Sequence, residues 1–312
     1  MKKYIYSIVG LIFLISSSQE SKAQQEAMYT QYMFNALALN PAYAGSRNVI
    51  SATGLYRYQW SGIDGAPKTT TFTIDAPINN NKIGLGLQVF NDKLGITNTT
   101  GAVISSAYRI RMEKATLSFG MQGSIANFKA NFSSVELDET GTSYDPAFQE
   151  NVNSMQFNIG TGIYYNSDKF YFGVSVPTLV PNRLSKGSNA QTNNPSKQEM
   201  HLFVSSGYVF DLNTDFKFKP SFLLKAVKGA PIEGDINATF WIKEIVGLGA
   251  QYRTNADVSG LLELQVNPQI RFGYAYDHST TKLRNFNGGS HEIMLRYEFG
   301  FEKNKVVSPR YF

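Results

Sequence analysis

From Ala115 to Ala130 the chain reads ATLSFGMQGSIANFKA, with Leu117, Phe119, Met121 and Ile125 on one face of an extended chain and Thr116, Ser118, Gln122 and Ser124 on the other. A period of two is the period of a strand. Strands of soluble proteins usually run to about five or six residues, whereas this alternation continues for roughly fifteen. The same alternation keeps returning. Tyr56 and Tyr58 oppose Arg57 and Gln59; Leu85, Leu87 and Val89 oppose Gly84, Gly86 and Gln88; Ile104, Tyr108 and Ile110 oppose Ser105, Arg109 and Arg111. Phe157, Ile159 and Ile163 follow against Gln156, Asn158 and Gly162, then Phe170, Phe172 and Val174 against Tyr171, Gly173 and Ser175. Further strands are predicted near 199–211, 215–227, 232–243, 245–254, 260–267, 269–277 and 289–301, about fourteen in all. An even count is what single-chain bacterial outer-membrane barrels require.

The connections carry separate information. Those at one end are short: INNNK after the second strand, MEK after the fourth, NSDK after the sixth, DLNT after the eighth, KE after the tenth and NP after the twelfth. The intervening ones are mostly longer, namely SGIDGAPK, the stretches 131–153 and 179–197, and HSTTKLRNFNGG from 278. NDKLGIT and VKGAP are shorter exceptions. Short turns at one end and long loops at the other describe a transmembrane antiparallel β-barrel with periplasmic turns and extracellular loops. A soluble β-sandwich is the competing fold, but it gives no reason for strands of such length.

If lipid faces the apolar side, the polar side faces the lumen. It then carries Arg109, Arg111, Lys217, Lys219, Lys225, Lys243, Arg253, Arg271 and Arg296 together with Asp75, Asp235, Glu263, Asp277, Glu292 and Glu298. Tyr164, Phe203 and Trp241 fall on the same face. A lumen of mixed charge with bulky aromatics predicts a narrow or plugged barrel, with a hydrated pore as the alternative.

Composition places the chain in a compartment. Residues 1–23 combine Lys2 and Lys3, an apolar run around Ile8 to Ile15 and a small-residue end at Ser21 and Ala23, the order of a cleavable export signal. The mature chain is expected to begin at Gln24, and a bacterial outer membrane is the expected destination. No later stretch has the length and apolarity of a membrane helix. With 0 Cys, neither a disulfide nor a thiolate metal site can form. The net charge of +5 comes from scattered basic residues, which argues against nucleic acid as a partner.

Candidate chemistry is sparse. His201, His278 and His291 lie far apart with no metal-ligand spacing, and HEIM at 291 lacks a second histidine and sits in a strand pattern. GLG at 84 and 247 has neither a third glycine nor a following helix, and no G-x-S-x-G elbow occurs. Glu292 and Glu298 would lie roughly 20 Å apart along one strand, too far to act on one bond. The expectation is a non-enzymatic protein with no cofactor and no metal.

The ends remain. QYMFNALALNPAYAGS, residues 31–46, has no clean period; Pro41 forbids a helix through that point and Gly45 allows a turn. The expected layout is a periplasmic lead-in at 24–47, a barrel at 48–301 and a periplasmic tail at 302–312. An even strand count puts both ends on the periplasmic side, beside each other at the closure seam. Asn40, Pro41, Gly45, Pro309, Arg310 and Phe312 are therefore candidates for docking a partner, with Arg310 able to grip a carboxylate bidentately. The alternative is that Phe312 is a barrel-assembly signal and that Pro41 and Gly45 only shape a turn.

NPAYAG at 40–45 after QYMFN, YDPAF at 144–148, YFGVSVPTLVP at 171–181, NPQIRFGYAYD at 267–277, SHEIMLRYEF at 290–299 and the terminal SPRYF together resemble the PorP/SprF family of type IX secretion system membrane proteins from Bacteroidota. The resemblance spans nearly the whole mature chain. It implies an outer-membrane barrel that works with other secretion components, and in gliding species with adhesin machinery. It also implies partner cargo proteins with C-terminal sorting domains, secreted or anchored at the surface. A porin or substrate-selective channel is the alternative function.

Overall fold

The computed structural model describes residues 28–134, 151–182 and 198–299. Within them fourteen antiparallel strands close into a barrel. These are β1 Ile50–Tyr58, β2 Lys68–Ile78, β3 Ile83–Leu94, β4 Thr97–Arg111, β5 Ala115–Ala130, β6 Val152–Ser167 and β7 Phe170–Val176. Then come β8, in two stretches His201–Tyr208 and Phe210–Asp211, β9 Phe216–Val227, β10 Glu233–Ile242, β11 Val246–Arg253, β12 Asp257–Gln265, β13 Ile270–Ser279 and β14 Ser290–Phe299. Each strand pairs with the next, and β14 returns to β1 in a register running from Ile50↔Phe299 to Tyr58↔His291. Closure leaves no edge, so the backbone groups find partners without water, as hydrocarbon demands.

The alternation sorts side chains as the sequence predicted. Ile104, Met121 and Phe157 are 68%, 71% and 64% exposed, because they point away from the barrel into what would be lipid. No helix among the described residues is long and apolar enough to cross a membrane. The run 115–130 is a single strand of 16 residues, in full register with β4 and β6.

At the short-turn end the hairpins are tight. Asn79, Asn80 and Asn81 all take positive φ between β2 and β3, a conformation Asn tolerates better than most residues. The loop end carries the connections 59–67, 131–151, 177–200 and 280–289. One expected connection at that end is strand instead. Asn91, Asp92 and Lys93 of NDKLGIT pair with Thr100, Thr99 and Asn98, so β3 and β4 turn only at Gly95 and Ile96. Their polar side chains suit a hairpin that rises out of the apolar band.

The expected lead-in does not sit outside the barrel. Residues 28–49 run through the lumen, and most are buried there. The hydrophobic core is thus inside the barrel: Tyr29, Tyr32, Met33, Phe34 and Leu39 pack against Leu55, Phe203, Leu223, Leu261 and Met294 of the wall. An extended lead-in at the periplasmic face would leave these apolar side chains in water, and the wall charges without partners. The expected signal at 1–23 and the expected tail at 302–312, with Pro309, Arg310 and Phe312, lie outside the described residues.

Candidate functional site

The site is the occupied lumen. The segment starts near the loop end, passes down the barrel and leaves at the short-turn end, where β1 begins. A one-turn helix α1, Ala36–Leu39, stops at Asn40, whose extended backbone (φ −140°) lets Pro41 start a 3-10 turn, Pro41–Tyr43. The Asn40 side chain accepts the Ala42 N–H at 2.9 Å and donates to the Ile163 carbonyl at 3.0 Å. Gly45 then turns the chain with φ +70°, a region open to glycine.

Wall side chains take up the segment's backbone groups, which irregular chain leaves unpaired. Near the loop end Glu292 accepts the N–H of Thr30 at 2.9 Å and of Gln31 at 2.7 Å. Arg57 ties this carboxylate to Asp277, at 3.1 and 2.7 Å, and the Thr30 hydroxyl donates to Asp277 at 2.8 Å. Arg253, paired with Asp235 at 2.9 Å, donates to the Tyr29 carbonyl at 3.3 Å. Halfway down, the Phe34 ring lies within cation–π reach of Lys219 (5.9 Å), Arg271 (5.7 Å) and Arg296 (5.4 Å). The Phe34 carbonyl accepts from Arg296. Toward the turns, Ser175 donates to the Leu39 carbonyl at 2.6 Å and Asp75 accepts the Gly45 N–H at 2.8 Å. Arg47 pairs with Glu298, and Arg109 donates to Asn48 at 2.7 Å.

Wall glycines make room for this path. A Cβ on Gly84 would overlap the Ala44 carbonyl, one on Gly120 the backbone of Ala42, one on Gly162 the Asn40 side chain and one on Gly273 the Gln31 amide. Gly123 and Gly260, on the lipid side, have open space at the same position. The glycines therefore mark where the segment comes closest to the wall on the lumen face, backbone to backbone at Gly84 and Gly120 and against a side chain at Gly162 and Gly273.

The predicted lumen charges separate into two groups. Arg109, Lys219, Lys225, Arg253, Arg271, Arg296, Asp75, Asp235, Glu263, Asp277, Glu292 and Glu298 are buried inside. Arg111 and Lys243 are exposed at the turn end, and Lys217 reaches Asp211 and Glu244 there, at 3.2 and 2.8 Å. Tyr164, Phe203 and Trp241 point inward and are buried. Asn40, Pro41 and Gly45 come together, but inside the lumen and buried, so in this arrangement they offer a partner no surface. Thr30, Gln31 and Phe34 went unrecognised in the sequence. Their signal was the surplus of inward charges on the strands, which called for partners that the strands alone do not supply.

Among the described residues no group of three or more His, Asp or Glu could hold a metal ion. The histidines stay apart: His201 is buried and stacks on Phe203, while His291 faces the Tyr274 hydroxyl at 2.7 Å.

The sequence profile of the family described as type IX secretion system membrane protein PorP/SprF matches residues 21–297. Among curated proteins none matches. Solved structures with a similar chain course include the KdgM porin, at 11% identity and TM-score 0.41, covering 80% of this chain and 99% of that one. A monoaromatic hydrocarbon channel, CymD, is 12% identical at TM-score 0.47, covering 87% and 93%. A Pseudomonas aeruginosa FadL homologue is 11% identical at TM-score 0.44, covering 81% and 89%.

Proposed function

The chain belongs to the type IX secretion system membrane protein PorP/SprF family, and on that premise we propose that it is a non-enzymatic outer-membrane platform that assists secretion or surface anchoring of partner cargo. The observation that carries this reading is the lumen. Residues 28–49 run through it, held by the Arg47–Glu298 pair and by hydrogen bonds to wall carboxylates that buried ion pairs fix in place. A porin needs a continuous aqueous path, and this interior is packed with protein. What such a barrel offers is its rigid frame and its two ends. The loop end faces the cell exterior, where cargo with a C-terminal sorting domain is displayed, and the turn end faces periplasmic components of the same machinery.

The experiment is removal and return. Cells lacking the chain are followed for surface display of sorting-domain proteins, then complemented with the full chain and with a barrel-preserving variant of the 28–49 segment. Loss of display of one or more cargo proteins, restored by the full chain, supports the reading. Unchanged display together with loss of uptake of a small solute would favour a channel instead.

A further inference from the structure

β2 to β6 rise above the apolar band at the loop end, and their register aligns three outward lysines. In the top apolar row Phe72 faces Val89, Val89 faces Ala102, Ala102 faces Ile125 and Ile125 faces Phe157. Two residues up, the row is Thr70, Asn91, Thr100, Asn127 and Met155. Two further up it is Lys68, Lys93, Asn98, Lys129 and Asn153. At about 3.3 Å per residue and a tilt near 45°, this row stands ~9 Å above the last apolar one. That is headgroup height.

Lys68 and Lys93 are direct cross-strand partners and both are exposed. Like charges directly opposite each other destabilise a sheet unless something lies between them. Among the described residues no carboxylate does so, since Lys68, Lys93 and Lys129 take part in no ion pair. Lys68 instead lies 5.0 Å from the Tyr58 ring centroid, in the same outward row. With strands ~4.8 Å apart, Lys68 and Lys93 can bracket one phosphate, and Lys129 stands ~10 Å beyond Lys93, across Asn98, for a second.

We propose that this row binds the phosphorylated headgroup of an outer-leaflet glycolipid of the lipid A type, with its acyl chains lying against Phe72, Val89, Ile125 and Phe157. A single phosphate engages only the Lys68–Lys93 pair; a headgroup with phosphates across a disaccharide engages all three lysines. The proposal rests on the outer-membrane reading, with the loop end outside.

The test uses the purified full chain in detergent, titrated with diphosphoryl lipid A and followed by native mass spectrometry. Each lysine near an anionic headgroup is expected to contribute about fivefold in affinity. The triple variant Lys68→Gln/Lys93→Gln/Lys129→Gln is expected to bind on the order of a hundredfold more weakly. Dephosphorylated lipid A should bind poorly to the wild type, Lys93→Arg should bind like it, and Lys82→Gln/Lys114→Gln at the turn end should change nothing. If the triple variant fails to fold, Lys93→Gln alone is read for its fivefold loss. Undiminished binding by a folded lysine variant, or equal wild-type affinity for phosphatidylglycerol, would overturn the glycolipid site. A loss confined to Lys82→Gln/Lys114→Gln would overturn it too. Fractionation of the wild type away from the outer membrane would instead refute the reading beneath it.

Discussion

Glu292 on the last strand accepts the backbone N–H of Gln31 at 2.7 Å, so two residues 261 positions apart in the chain meet inside the barrel. The same carboxylate takes the Thr30 N–H and the Arg57 guanidinium. Glu292→Ala would leave Arg57 with Asp277 as its one carboxylate partner and two backbone donors without their acceptor. Removing one partner of a buried pair costs about 3–5 kcal/mol. Urea unfolding of the detergent-solubilised variant should show a loss of that size, whereas Glu113→Ala in the exposed β4–β5 turn should be near neutral.

Glycine substitutions separate the two faces of the wall. Gly120→Ala places a methyl group against the Ala42 backbone, and overpacking of this kind costs about 1–3 kcal/mol. Gly123→Ala, three residues along the same strand and facing lipid, meets nothing within 4 Å and should be tolerated. Equal stability of the two variants would place the segment elsewhere.

The lipid face has its own depth profile. Met121 lies midway between Leu117 and Ile125 in the apolar row of β5, and Met121→Arg should cost about 2–4 kcal/mol in a folding assay into bilayers. Asn127→Arg on the same face, above the apolar row, should cost only about 0–1 kcal/mol. A flat profile would mean that this face does not meet hydrocarbon.

Much of this architecture was legible in the sequence, because a barrel strand has to alternate over its whole length. The run 115–130, the inward Trp241 and Phe203 and the buried Asp277 and Glu292 followed from parity alone. The path of residues 28–49 did not, since irregular chain has no period and its partners come from strands all round the barrel, among them β1, β2, β4, β6, β7, β11, β13 and β14. The break at Pro41 and the turn at Gly45 are legible from residue type. What they turn against, the Gly84 and Gly120 backbones, is a tertiary fact.

Orientation can be read with single cysteines, as the chain has 0 of its own. Asp64→Cys in the 59–67 connection should react with an impermeant maleimide on intact cells, and Lys114→Cys in the β4–β5 turn should react only after the outer membrane is opened. The reverse pattern would invert the barrel.

The central claim is that the chain plugs its own barrel, and planar-bilayer conductance tests it most directly. The full chain should insert without sustained conductance steps, and a variant lacking residues 28–47 should give discrete open channels. Open channels of the same size from both proteins would contradict the account.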